Sequence, residues 1–289
     1  MPAVLITGAS RGIGRASALW LAARGWDVLA AVRDLASAPA APGPPPAGGP
    51  VASPSGTITP VALDITDPDQ IQSLDAALPA HLDAVVNNAG IVVAGPVEAV
   101  GTDALRRQFE VNVIGQAAVT GAVLPRLRAS RGRVVFVSSV SGRIATPMFG
   151  PYSASKFALE AMADALRMEV APWGIRVALV EPAQTDTDMW QHAEAELDRA
   201  VAALDPAHRT LYTRHIEGFR RTIPRSMKVA SPADGVAGAI ERALTDRRPR
   251  ARYVVGRAAR IQAVLGELTP TPLRDRMLSL GTGVPRRVS

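Results

Sequence analysis

The 289-residue chain contains no cysteine, which excludes a disulfide framework, a thiol nucleophile and a thiolate metal site. Aromatic residues make up only 4% of it, too few to stack the bases of a nucleic acid. Histidine is scarce as well. His81, His192, His208 and His215 show no ligand-like clustering with carboxylates, so no metal centre is expected. No segment reaches about 18 uncharged apolar residues, and no membrane span is expected. Neither is a secretory leader, because no basic stretch precedes an apolar one and a strand pattern already begins at residue 3. A cytoplasmic protein is the simplest placement.

The charge balance is positive, with a formal net of +6. Its densest run, Arg247 to Arg252, leads directly into the strand-like Tyr253-Val-Val-Gly, and the other arginines are scattered. This reads as a solvated, arginine-rich surface, and no nucleic-acid partner is expected.

What the chain does have is apolar content, at 47%, enough to bury one sizeable core. Short β-branched runs alternate with helical patterns. The candidate strands are Ala3–Thr7, Asp27–Val32, Thr59–Leu63, Ala84–Asn87, Arg133–Ser138, Ile175–Val180 and Arg252–Val255. Nearly all-apolar strands suit a parallel sheet covered on both faces, so the class is α/β with a doubly wound, seven-stranded sheet in a single domain over 1–289.

Two stretches carry chemistry. Tyr152-Ser-Ala-Ser-Lys156 places a phenol and an ammonium four residues apart, on one helix face. At roughly 4 Å and an effective dielectric of about 20, such a pair is worth about 4 kcal/mol. That is enough to move the phenol toward neutrality, which would make Tyr152 a general acid/base near pH 7. At the other end, the strand Ala3–Thr7 runs into Gly8-Ala-Ser-Arg-Gly12-Ile-Gly14 and then a helical pattern over Arg15 to Arg24. Strand, glycine turn and helix together form a phosphate-binding context. Gly8 allows the turn, Gly12 lets the backbone approach a pyrophosphate, and Gly14 lets helix and strand pack closely.

With these motifs the chain resembles the classical short-chain dehydrogenase/reductase family from Val4 to about Gly256. Thr7 to Gly14 resembles that family's T-G-x-x-x-G-x-G turn, and Asn87-Asn88-Ala89-Gly90 its N-N-A-G segment. Asn112 stands where the family carries a helix asparagine, and Ser139 lies 13 residues before Tyr152, as its catalytic serine does. The resemblance implies a Rossmann-type fold and hydride transfer between a nicotinamide and a hydrophobic alcohol or ketone. Asn112, Ser139, Tyr152 and Lys156 would then be catalytic. Tyr152 would exchange the proton, Ser139 would hold the substrate oxygen, Lys156 would also bind the nicotinamide ribose, and Asn112 would hold a relay water. The cofactor would meet Gly8, Ser10, Arg11, Gly12, Ile13, Gly14, Arg33, Asp64, Ile65, Asn88, Ala89, Gly90, Pro182, Thr185 and Thr187, besides Tyr152 and Lys156.

For the choice of cofactor, strand two ends in Val32 where an NAD-selective acid would sit, and Arg33 follows. Arg11 supplies a second cation, so NADP(H) is the expected cofactor and NAD(H) the alternative. Asp34, two residues past the expected acid, reads as a turn cap. Beside Ser139 and Tyr152, a substrate pocket is expected from Ile144, Met148, Phe149, Met189 and Trp190.

Three segments depart from the family pattern or vary within it. Residues 36–57 are rich in proline, alanine and glycine, with seven prolines between Ala36 and Ser55, and are expected to form an irregular loop. Ala183 replaces the glycine that usually follows Pro182. Residues 184–226 read as a substrate lid with one or two helices between His192 and Arg221, and 257–289 as a C-terminal extension. By resemblance, the helical patterns Asp103–Ala129 and Ser153–Ala171 form a two-fold interface. Phe157, Leu159 and Met162 supply apolar surface for it, so a homodimer or homotetramer is expected.

Other readings fare worse. A non-catalytic nucleotide sensor would not need Tyr152, Lys156, Ser139 and Asn112 together. Reductases of C=C bonds in this superfamily use a wider tyrosine–lysine interval, and extended epimerases a G-x-x-G-x-x-G turn. A basic scaffold or nucleic-acid binder would show binding that collapses steeply with salt.

Overall fold

The computed structural model describes residues 1–40, 56–186, 193–228 and 230–285. Its centre is a seven-stranded parallel sheet: β1 (Ala3–Thr7), β2 (Asp27–Val32), β3 (Ile58–Ala62), β4 (Ala84–Asn87), β5 (Arg133–Val137), β6 (Arg176–Pro182) and β9 (Arg252–Val255). The spatial order is β3-β2-β1-β4-β5-β6-β9. A two-residue ladder, β7 (Thr185–Asp186) with β8 (Ser231–Pro232), stands apart from it. The expected strands are all present, shifted by at most two residues at their ends.

Side chains alternate across the sheet, so each strand feeds two cores. Leu5, Val85, Val134 and Phe136 join one core with Leu74 of α2 (Pro68–Ala77), Val123 of α4 (Gln116–Ser130) and Leu159 of α5 (Gly150–Val170). Val4, Ile6, Val86 and Val135 join the other with Leu21 of α1 (Gly12–Ala22) and Ile240 of α9 (Ala233–Thr245). Burial on both faces explains why the strand sequences are nearly all apolar.

The expected long helix over 103–129 is interrupted. α3 (Thr102–Phe109) passes through a π-helical turn, Glu110–Gly115, before α4 continues. Gly115 matters here, because a Cβ there would collide with the carbonyl of Ile65. The lid region has three described helices rather than one or two: α6 (Ala193–Ala202), α7 (Pro206–Leu211) and α8 (Thr213–Lys228). Asp205 separates the first two by capping α7, accepting from the amides of Ala207 and His208. The lid has a core of its own, built from Met148, Leu197, Leu204, Ile216, Phe219 and Ile223. The C-terminal extension forms α10 (Arg257–Leu268) and α11 (Thr271–Gly281).

Two surface expectations need correction. Leu159 is fully buried in the sheet core and cannot contribute to an interface, whereas Phe157 is 44% exposed. Arg252 is not simply solvated: it pairs with Glu160, Asp164 and Glu181. Of the proline-rich segment, residues 41–55 lie outside the described residues. Among the described residues, no helix is long and apolar enough to cross a membrane.

Candidate active site

The sheet order reverses between β1 and β4, and in such sheets ligands bind beyond the carboxyl ends of the strands at that point. The predicted residues gather along this edge. Gly8 to Gly14 follow β1, Arg33 follows β2, Asp64 and Ile65 follow β3, Asn88 to Gly90 follow β4, Ser139 follows β5, and Pro182 ends β6 just before Thr185.

The glycine turn depends on its glycines. Gly8 and Gly12 have φ of 67° and 54°, the left-handed region that favours glycine. A Cβ on Gly8 would stand 2.9 Å from the Cα of Ala89, and one on Gly14 would collide with the carbonyl oxygen of Gly8. Asn88 locks the two loops together. Its Nδ2 donates to the carbonyls of Thr7 and Gly8 at 2.9 and 3.2 Å, while the Thr7 hydroxyl accepts from the amides of Asn88 and Ala89 at 3.0 and 3.1 Å. α1 begins with no capping side chain and no acidic residue in its first turn. Its free amide groups and positive dipole end thus face the turn, an arrangement that suits a pyrophosphate.

Arg11 and Arg33 are both exposed at neighbouring strand ends. Asp34 caps the following turn as expected, accepting from the amide of Ala36 at 3.0 Å. Asp64 accepts from the backbone amide and hydroxyl of Thr66 at 2.9 and 2.7 Å. These bonds, the amide foremost, hold its carboxyl below the ordinary range, and Arg33 adds to the effect.

Three carboxamides on successive turns, Gln108, Asn112 and Gln116, clip the segment after β4. Gln116 donates to the carbonyl of Ala89 at 2.7 Å, and Gln108 accepts from the amide of Val93 at 2.6 Å. Asn112, in the π turn, accepts from the amide of Ile91 at 2.8 Å and donates to its carbonyl at 3.0 Å. It also donates to Ser155 Oγ at 3.2 Å, and that hydroxyl donates to the carbonyl of Tyr152 at 2.7 Å. The π turn inserts one extra residue and so aims all three amides at one loop. The sequence showed Asn112 alone; a glutamine four residues to either side of it was the missed signal.

Tyr152 and Lys156 lie on the first turns of α5, and Ser139 caps the 3₁₀ turn Val140–Gly142, accepting from the amide of Ser141 at 3.1 Å. The Ser139 hydroxyl stands near the Tyr152 phenol and favours its ionised form, while its own bonds run to the carbonyl of Pro182 at 3.5 Å and from the amide of Ser141. The expected lowering of the phenol by Lys156 is reversed. Part of the tyrosine remains open to the cleft, but the protein packed around its hydroxyl pushes the pKa above 10.0, with the nearby Ser139 hydroxyl opposing the rise. Lys156 does not counter this. Its Nζ donates to the carbonyl of Val137 at 2.8 Å and lies 5.8 Å from the phenol ring centroid. Burial lowers the ammonium from 10.5 to about 8, against the pull of Glu160.

Phe149 and Met148 form the wall next to Tyr152. Met148 takes a left-handed backbone (φ 68°) although it is not glycine, a strained conformation, and its side chain is buried under the lid. Phe149 meets Tyr152 at 6.4 Å and Phe219 of α8 at 5.2 Å, both edge-on. Ile144 lies against Gly266 of α10, where a Cβ would collide with it. Thr185 is buried on the β7–β8 ladder. Thr187, Met189 and Trp190 lie outside the described residues.

A family model described as short chain dehydrogenase matches residues 2–198. The chain belongs to this family. As a short-chain dehydrogenase it acts on CH–OH or C=O groups with a nicotinamide dinucleotide. It is 35% identical to human retinol dehydrogenase 5, covering 96% of this chain and 87% of the relative. It is 33% identical to rat 17-beta-hydroxysteroid dehydrogenase type 6, covering 98% and 89%. Among solved structures, a short chain dehydrogenase from Burkholderia cenocepacia in complex with NADP superposes with a TM-score of 0.72 at 25% identity, covering 96% of this chain and 97% of that one.

Proposed function

We propose that this dehydrogenase interconverts a hydrophobic alcohol and its ketone or aldehyde, uses NADP(H), and employs Tyr152 as general acid/base. The observation that carries the reading is the placement of Ser139, after β5, beside Tyr152, on the first turn of α5, at the sheet edge and beneath an apolar lid. Two hydroxyls converging there can both reach one substrate oxygen.

The nicotinamide dinucleotide supplies or accepts the hydride. The bare glycine turn and uncapped α1 fit its pyrophosphate, and Asn88 holds that turn in register. Tyr152 gives its proton to the developing alkoxide during reduction, or takes the alcohol proton during oxidation. Its raised pKa favours the donor form. Ser139 donates to the same oxygen and holds it within reach. Lys156, buried and poised at about 8, can shift its ammonium from the Val137 carbonyl toward the phenol or a ribose hydroxyl. Asn112 fixes the loop at Ile91 and the Ser155 hydroxyl beneath Tyr152.

The apolar lid and the Phe149 wall support a bulky hydrophobic substrate, and so do the relatives named for retinol and hydroxysteroids. The test is NADPH consumption against a panel of aliphatic, aromatic, steroidal and keto-acyl ketones. Steroidal and aromatic ketones should be reduced fastest. Activity confined to small aliphatic or keto-acyl substrates would overturn the substrate class.

A further inference from the structure

A cluster of charges joins four elements beside Ser139 and Lys156, and the chemistry above makes no use of it. At its centre is Glu181 of β6, whose side chain is 0% exposed. Arg143, directly after the turn Val140–Gly142, holds it by one hydrogen bond and one ion-pair contact. Nη2 donates to Oε1 at 2.9 Å, and Nε stands 2.6 Å from Oε2. The hydrogen bond orients one carboxylate oxygen, and the second contact adds charge attraction without a hydrogen bond of its own. From β9, Nε of Arg252 lies 3.3 Å from Glu181 Oε1 and donates to Glu160 Oε2 at 3.0 Å. Nη2 of Arg252 donates to Asp164 Oδ2 at 2.6 Å, and Arg167 pairs with Asp164 as well.

Glu160 and Asp164 stand four and eight residues beyond Lys156 on α5. A continuous chain of ion pairs therefore runs from the serine turn, through β6 and β9, to the helix of Tyr152 and Lys156. Packing joins the same parts. A Cβ on Gly142 would stand 2.9 Å from Glu160 Cγ and 3.2 Å from the carbonyl oxygen of Lys156. Because Ser139 Oγ accepts from Ser141 within the turn, its hydroxyl moves with whatever moves Arg143.

A buried ion pair is a weak way to gain stability, since well-packed apolar groups do as well. The use left for this one is geometric. We propose that Glu181 is a positioning residue for Ser139, acting through Arg143, and that its proton switches the site between a taut and a slack form. The inference rests on the carbonyl-reducing reading of Ser139 and Tyr152.

Glu181 faces Arg143 from the serine turn, Arg252 from β9 and Glu160 from α5. Burial pushes its carboxyl up to about 7, with Glu160 adding to the rise and the two arginines opposing it. A cavity of about 340 Å³ lined by Gly142, Arg143, Phe157, Glu160 and Arg252 gives water access to the cluster. Once protonated, the carboxyl loses its charge and turns one oxygen into a donor, so its ion pairs with Arg143 and Arg252 weaken.

The experiment compares wild type with Glu181→Gln, using NADPH and benzil as the probe pair. Wild-type kcat should fall as the pH drops through about 7. Glu181→Gln should lower kcat about tenfold at alkaline pH, flatten that acid limb and leave the NADPH dissociation constant within about twofold, as expected of displaced geometry. In parallel, the amide resonances of Val140 to Gly142 and the Arg143 Nε resonance should titrate together in wild type and be shifted in the variant. An unchanged kcat and acid limb in the variant, or turn resonances that neither titrate nor shift, would overturn the inference. If Glu181→Gln does not fold, Arg143→Lys keeps the charge, loses the guanidinium's reach to both carboxylate oxygens, and should shift the same turn amides. A wild type that reduces no carbonyl probe would sink the proposed function alone, since the resonances still decide the role of Glu181.

Discussion

The ring of Phe149 meets that of Phe219 edge-on at 5.2 Å, joining the residues just before Tyr152 to the core of the lid. Phe219 is buried, and Phe149 also contacts Tyr152 itself. Lid position and tyrosine position are thereby coupled through one side chain. Phe219→Ala should destabilise the lid helices by about 3–5 kcal/mol, the usual cost of emptying a buried phenylalanine site. Limited proteolysis should then cut within α6–α8 before the sheet domain is touched, and KM for a bulky ketone should rise more than kcat falls. Equal resistance of both proteins to protease would contradict the coupling.

Tyr152→Phe keeps the ring and removes the proton. Turnover should fall at least about a hundredfold, while NADPH titration by fluorescence stays close to wild type. Lys156→Ala should lose turnover and cofactor affinity together, and Ser139→Ala turnover alone. More than about a tenth of wild-type turnover in Tyr152→Phe would remove the tyrosine from the mechanism.

The buried ammonium gives a stability prediction that needs no substrate. Lys156 is lowered from 10.5 to about 8 in the folded chain. Between those values the unfolded chain binds a proton that the folded one has released, so the unfolding free energy rises with pH. Below about pH 8 both states carry the charge, and this group contributes no slope. Tyr152, raised above 10.0, works in the opposite sense at still higher pH. Urea titrations of wild type and Lys156→Met across this range should differ in slope, with the variant flatter. Parallel curves would mean the lysine is not desolvated.

NADPH should bind more tightly than NADH by roughly 1–3 kcal/mol, the worth of hydrogen bonds to a charged phosphate. The argument rests on Val32 in place of an acid, with Arg33 and Arg11 exposed at adjacent strand ends. Asp34 is engaged as a cap on the turn and does not stand in for that acid. Val32→Asp with Arg33→Ala should reverse the order in calorimetry. Tighter NADH binding by the wild type would refute the arginine argument.

An oligomer is also expected, because α5 exposes Phe157 and Met168 while α3 exposes Leu105 and the π turn after it exposes Ile114. Sedimentation at micromolar concentration should show a dimer or tetramer, and Phe157→Glu should shift it toward smaller species. A single species near 30.3 kDa for the wild type would refute this.

The sequence by itself determined the sheet and the glycine turn and paired Tyr152 with Lys156, whereas Asn112 and Ser139 are marked out by the family resemblance. Nearly all-apolar runs mark strands buried on both faces, glycines mark the turn, and a four-residue interval places the phenol and the ammonium on one helix face. Tertiary structure decided what depends on groups distant in the chain. Whether Leu159 faces a neighbour or the core depends on which helix face meets the sheet, and the structure turns it inward. The phenol's pKa is raised rather than lowered because desolvation is a sum over surroundings no four-residue spacing contains. The π turn at Asn112 arises where three carboxamides must all reach one loop. Glu181 reads as a stray acid in an apolar strand until folding brings Arg143 and Arg252 to it from 38 and 71 residues away. Long-range charge pairing has no signature in local spacing, since only the closed fold sets the distances on which it depends.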